Sequence, residues 1–124
     1  MNKINKVVGV IQARMGSTRL PEKMLLNLGN YPIIEWVIRR AKLSKELDKL
    51  VLATSNLKKD DKLAEIAKNL KIDLYRGSEV DVLERFCGAA DMFEANTIVR
   101  ICADNPFIDS NEINRLITFY FDEQ

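Results

Sequence analysis

Histidine is absent from the 124 residues, and that gap removes a good deal of chemistry. Ser-His-Asp and Cys-His nucleophilic catalysis both need an imidazole and are excluded. The common zinc sites lose their usual nitrogen ligand. Cysteine is scarce, with only Cys87 and Cys102; both fall on apolar faces and read as reduced, buried thiols rather than a disulfide or metal pair. No apolar run approaches the ~20 residues of a membrane-spanning helix. Residues 1–6 carry no long apolar stretch of the kind that opens a secretory leader. A cytoplasmic location without a membrane partner is the expectation. Excess charge is lacking too: 19 Lys+Arg against 18 Asp+Glu leave a net +1, so no global field recruits nucleic acid. What remains, 47% hydrophobic and 30% charged residues, is ordinary for a soluble globular chain. Residues 1–124 read as one domain, long enough to bury roughly two-thirds of its unfolded surface.

Four stretches repeat the i, i+3, i+4, i+7 apolar spacing of an amphipathic helix. They carry Ile34, Val37, Ile38 and Ala41; Leu63, Ile66, Ala67 and Leu70; Leu83, Phe86, Cys87 and Ala90; and Ile113, Leu116, Ile117 and Tyr120. Asn30 and Pro32 read as the opening of the first helix. Between them, residues 7–11, 50–53, 72–75 and 97–101 read as strands. The first is apolar apart from Gly9, as suits a strand covered on both faces. The third alternates, which suits an edge. The order β-α-β-α-β-α-β-α predicts an α/β fold: a Rossmann-like open parallel sheet with strand order 3-2-1-4 and helices on both faces.

That topology places a site before any motif is invoked. Open parallel sheets bind ligands beyond the carboxyl ends of their strands, where strand order reverses. Here the reversal lies between the first and fourth strands. They are followed by Gln12-Ala13-Arg14 and by Ala103-Asp104-Asn105-Pro106. The first loop runs to about Asn30, longer than an ordinary βα connection. It is neither a Walker loop nor a G-x-G-x-x-G turn. Its cations suit either a solvated surface or a phosphate cradle. In the second case Gly16 lets the backbone approach an anion, and Ser17 and Thr18 donate hydrogen bonds. Arg14 and Arg19 offer bidentate contacts, and Lys23 a point charge. Leu20-Pro21 turns the loop back to the sheet.

Asp104 begins a turn before Pro106 or, opposite a basic loop, holds Mg²⁺ together with substrate phosphates. Asp109 reads as a helix cap, with Glu112 completing a capping box. Thr54 and Ser55 end the second strand and either face the same sheet edge or open the next helix. Arg76 projects from the third strand's carboxyl end. Ser78 with Asp81 opens a helix, and Asp81 with Arg85 reads as a surface pair.

Three stretches then carry a resemblance. They are Ala13-Arg14-Met15-Gly16-Ser17-Thr18-Arg19-Leu20-Pro21-Glu22-Lys23, Leu52-Ala53-Thr54-Ser55, and Arg76-Gly77-Ser78-Glu79-Val80-Asp81-Val82-Leu83-Glu84-Arg85. With Ile98-Val99-Arg100-Ile101, they resemble the cytidylyltransferases that activate sugar acids, the CMP-sugar-acid synthetases, above all the spore-coat polysaccharide branch. The resemblance implies transfer of CMP from CTP to a sugar acid with release of pyrophosphate. It implies a nucleotide-binding set of Ala13, Arg14, Gly16, Ser17, Arg19 and Lys23, with Arg76 and Ser78 towards the cytosine. It further implies Mg²⁺ on Asp104, and catalytic work for Arg14, Lys23 and Asp104. The family commonly has Gly-Asp-x-Pro where this chain has Ala103-Asp104-Asn105-Pro106. Its members are about twice as long, so the chain resembles their nucleotide-binding half. The uncovered apolar surface expected of such a half suits a homo-oligomer. Other readings are a catalytically incomplete nucleotide-binding module or partner subunit, and a guanylyl- or adenylyltransferase of similar fold.

Overall fold

A computed structural model describes residues 6–14, 23–103 and 105–123. Four strands, β1 (Val7–Gln12), β4 (Lys49–Ser55), β5 (Asp73–Gly77) and β6 (Thr97–Cys102), form one sheet in the order β5-β4-β1-β6. All three of its pairings are parallel. Counted among themselves, the four run third-second-first-fourth, the expected order. The numbering gains two because Asn27–Leu28 and Tyr31–Pro32 pair as a small antiparallel hairpin, β2-β3. That hairpin occupies the far end of the long first loop, which had been read as without structure.

Both faces of the sheet are covered, unequally. Helices α1 (Ile33–Ala41), α2 (Asp61–Asn69) and α4 (Ser110–Asp122) send Ile34, Ile38, Leu63, Ala67, Ile113 and Ile117 into a core with Val7, Ile11, Leu52 and Ile101. On the opposite face α3 (Val82–Met92) packs alone, bringing Ala89 and Phe86 onto Val8, Val10, Val51 and Ala53. β1 is therefore buried on both sides, which its unbroken apolar run requires. Gly9 is what lets it fit. A Cβ there would lie 3.0 Å from Leu47 Cδ1 and 3.1 Å from Ile101 Cδ1. Burying each large aliphatic side chain stabilises the fold by roughly 1.5–3 kcal/mol.

The helix ends follow local rules. Asp81 caps α3 by accepting from the Glu84 amide at 2.9 Å, and Asp109 caps α4 by accepting from the Asn111 amide at 2.8 Å. α2 and α3 both close with Schellman turns, with Ile72 N on Ala67 O and Ala95 N on Ala90 O. The left-handed residues in those turns are Lys71 (φ 61°) and Glu94 (φ 56°), where glycine would be unstrained.

Several expectations are corrected. Cys87 and Cys102 are exposed, not buried. Cys102 takes the outward position of edge strand β6, whose burial alternates. Cys87, like Leu83, is turned out because α3 starts at Val82 and buries the stripe through Arg85 and Ala89 instead. Leu116 and Tyr120 are exposed because the face of α4 turned to the core carries Ile113 and Ile117, with Phe121 packed against it. Pro32 is the residue before α1 and caps it with no side-chain bond, while Asn30 sits in the hairpin turn. The capping box at α4 is half made, since Glu112 turns to Arg115 instead. Among the described residues, no helix is long and apolar enough to cross a membrane.

Candidate functional site

The carboxyl end of β1 sits between those of β4 and β6 (Gln12 beside Ala53 and Cys102), so the reversal of strand order falls where it was expected. Ala13 prolongs the pairing by one residue. Its amide donates to Ala53 O at 3.0 Å, and its side chain is buried. Arg14 follows, half-exposed, one residue beyond that pairing. Gly16, Ser17, Arg19 and Asp104 lie outside the described residues, as does the side chain of Lys23, whose backbone opens a 3₁₀ turn, Lys23–Leu25. Met24 in that turn is buried in the main core and anchors the far end of the loop.

Past the carboxyl end of β6, Ala103 is buried in the main core. The positive-φ residues other than glycine are Lys71 and Glu94 among the described ones, and Ala103 is not one of them. An alanine is thus tolerated where the resembling family has glycine. The loop beyond is held from α1, because Arg40 Nε donates to Ile108 O at 2.5 Å. Asn105 Oδ1 accepts from the Phe107 amide at 3.1 Å. Among the described residues no three His, Cys, Asp or Glu side chains converge.

The β5 side of the crevice is a braced wall. Arg76 spends its guanidinium on the protein: Nε on Ser55 O at 2.8 Å, Nη2 on Leu57 O at 2.8 Å and Nη1 on Asp61 Oδ1 at 2.9 Å. Ser78 also has internal work, accepting from the Asp81 amide at 3.1 Å and donating its own amide to Glu84 Oε2 at 2.9 Å. The helix-opening reading of Ser78 and Asp81 therefore holds. Glu84 also accepts from Tyr75 Oη at 2.6 Å. That bond holds the Glu84 carboxyl below its ordinary range, helped by the Ser78 amide. The same bond raises the Tyr75 phenol, with burial adding to it.

Arg85 corrects the surface-pair reading. It is buried, with 3% of its surface exposed. Its partners are Gln12 Oε1, Ser78 O and Glu79 O, not the Asp81 carboxylate. Burial lowers its pKa first and the nearby Arg14 charge next, while Asp60, Glu84 and Asp81 oppose the shift. Asp60 is fully buried at the start of α2, where it accepts from the Ser55 hydroxyl. Thr54 is fully buried beside it, its hydroxyl unbonded. Gln12, Asp60 and Arg85 were not assigned to the site from sequence. The available signal was that Arg85 falls on the stripe of α3 that also holds Ala89, once the helix is counted from Val82.

These features define an α/β protein of the doubly wound type, whose strand order reverses between β1 and β6 and whose Arg14 follows the carboxyl end of β1. Residues 8–124 match the family model described as cytidylyltransferase, and the chain belongs to that family. It is 37% identical over 124 residues to the spore coat polysaccharide biosynthesis protein SpsF of Bacillus subtilis (97% of this chain, 52% of that protein). Among solved structures it superposes on a cytidylyltransferase from Leptospira borgpetersenii with a TM-score of 0.92 at 38% identity, covering 97% of this chain and 50% of that one. It also superposes on CMP:2-keto-3-deoxy-manno-octonic acid synthetase complexed with CTP, with a TM-score of 0.80 at 25% identity (95% and 48%). The chain spans about half the length of the curated relatives it matches.

Proposed function

We propose that the chain binds CTP at the carboxyl end of β1 and serves in transfer of CMP to a sugar acid for surface polysaccharide synthesis. The observation that carries this reading is the basic segment 13–23, rooted where strand order reverses in a chain of the cytidylyltransferase family. A relative solved with CTP and a sugar acid in its name supports the choice of substrates. In the reaction a hydroxyl of the sugar acid attacks the α-phosphorus of CTP, and the bond to the β-phosphate oxygen breaks as pyrophosphate leaves. Positioning and charge stabilisation are the protein's share. Arg14 and Lys23 offset charge growing on the leaving pyrophosphate, with Gly16, Ser17 and Arg19 completing the phosphate cradle. Asp104 would hold Mg²⁺, which when bound supplies charge neutralisation at the phosphates. Arg76 and Ser78 brace the wall on the cytosine side.

A pyrophosphate-release assay with CTP, Mg²⁺ and a panel of sugar acids tests turnover. Thermal shifts with the four nucleoside triphosphates test the base, because a ligand of the native state raises Tm. A shift with CTP alone is expected. A shift with GTP or ATP and none with CTP would overturn the reading. A second reading is nucleotide binding by this chain without turnover. A CTP shift with no pyrophosphate release selects it. Exposed Ile98, Leu116, Phe119 and Tyr120 support self-association, and a strict monomer in sedimentation at high concentration would refute that.

A further inference from the structure

We propose that Arg85 is a positioning residue for the nucleobase: it locks segment 78–82 onto the carboxyl end of β1, and so fixes the wall against which the base is selected. The inference rests on the proposed function for what the wall faces, and on the structure for the lock itself. Arg85 Nη1 donates to Ser78 O at 2.7 Å and to Glu79 O at 2.8 Å, while its Nε donates to Gln12 Oε1 at 2.9 Å. Gln12 closes the ring by donating Nε2 to Val82 O at 3.0 Å. One guanidinium and one amide thus tie three carbonyls of a five-residue loop to the central strand.

The loop's other anchors are polar: Ser78 N on Glu84 Oε2, Asp81 N on Ser78 Oγ, and the Lys59–Glu79 ion pair. Val80, Val82 and Leu83 are 86%, 43% and 70% exposed, so apolar burial does not hold it. A planar fork with fixed donor directions suits two neighbouring carbonyls, and a lysine ammonium does not reproduce it. The burial of Arg85 shows that the fold gives up solvation to keep this tie.

The test uses Arg85→Lys, Arg85→Gln and Gln12→Ala in the full chain, the last serving if burial makes the arginine variants unstable. Amide hydrogen exchange without nucleotide reads the lock. Exchange across 78–82 should quicken about tenfold or more, the effect of losing ~1.4 kcal/mol of local stability, while α1 keeps its protection. Calorimetry with CTP, UTP and inorganic tripolyphosphate reads the consequence. The CTP-to-UTP affinity ratio should fall towards one, with tripolyphosphate binding changed less than twofold. Unchanged protection of 78–82 in both Arg85→Gln and Gln12→Ala would overturn the lock. Lost protection with an unchanged CTP-to-UTP ratio would overturn its role in selection. An unmodified chain that binds none of the three ligands overturns the proposed function and with it the selection role, while the exchange result still decides the lock.

Discussion

Gly88→Ala is the sharpest test of how the crevice wall is braced. In the middle of an exposed helix this change normally stabilises, by about 1 kcal/mol, because alanine loses less backbone freedom. Here the new methyl has no room. A Cβ at Gly88 would lie 2.0 Å from Tyr75 Oη, 2.2 Å from Cζ and 2.9 Å from Cε1. The ring must swing away, and the bond from Tyr75 to Glu84 goes with it. Overpacking of this kind costs about 1–3 kcal/mol. With the helical gain of about 1 kcal/mol set against it, a net loss of up to about 2 kcal/mol is expected. Urea unfolding should show a lower midpoint at unchanged slope, since the surface exposed on unfolding hardly changes. The cause is checked by repeating Gly88→Ala in a Tyr75→Leu background, which removes the clashing atoms. There the substitution should be neutral or stabilising, giving a coupling of about 1–3 kcal/mol. A stabilised single variant, or a cycle with no coupling, would refute the reasoning.

Other outcomes follow from the same bonds. Glu84 is held below its ordinary value of 4.5, so its contribution is present above pH 4.5 and is lost as pH falls through the lowered value. Tyr75 is raised above 10.0, so its contribution is present below that pH and is lost as pH rises through the folded value. The urea midpoint should therefore be flat between these limits and fall on both sides, with Tyr75→Phe abolishing the alkaline limb; an alkaline limb that survives Tyr75→Phe would contradict the assignment. Thr54→Val replaces a buried, unbonded hydroxyl with a methyl of like shape and should stabilise by about 1 kcal/mol in thermal unfolding. A loss would mean that the hydroxyl has a partner. Lys71→Gly, at φ 61°, should gain about 0.5 kcal/mol in urea unfolding by removing left-handed strain.

The parallel sheet was legible because four apolar runs alternate with four amphipathic stretches, and crossover handedness leaves few arrangements. α1 was read correctly down to Ile34, Val37, Ile38 and Ala41 because those residues form one unambiguous stripe. α3 was misread by one position because Leu83 and Cys87 are apolar yet outward, while the buried position holds an arginine. Periodicity weighs apolarity and cannot anticipate a guanidinium that satisfies itself on carbonyls of the loop before its own helix. The Gln12 contact was hidden for a similar reason, since a hydrogen bond across 73 residues leaves no local spacing. The hairpin of residues 27–32 was missed because two-residue strands lack a readable alternation. The place where strand order reverses was legible because topology alone fixes it.

The claim on which the account stands is that the cationic segment after β1 grips the phosphates of CTP. Calorimetric titration of CTP with Mg²⁺ into the unmodified chain, Arg14→Ala and Lys23→Ala measures it directly. Each substitution should weaken binding by about 2 kcal/mol, the scale of a charged hydrogen-bonding partner. Affinity unchanged in both variants would contradict it.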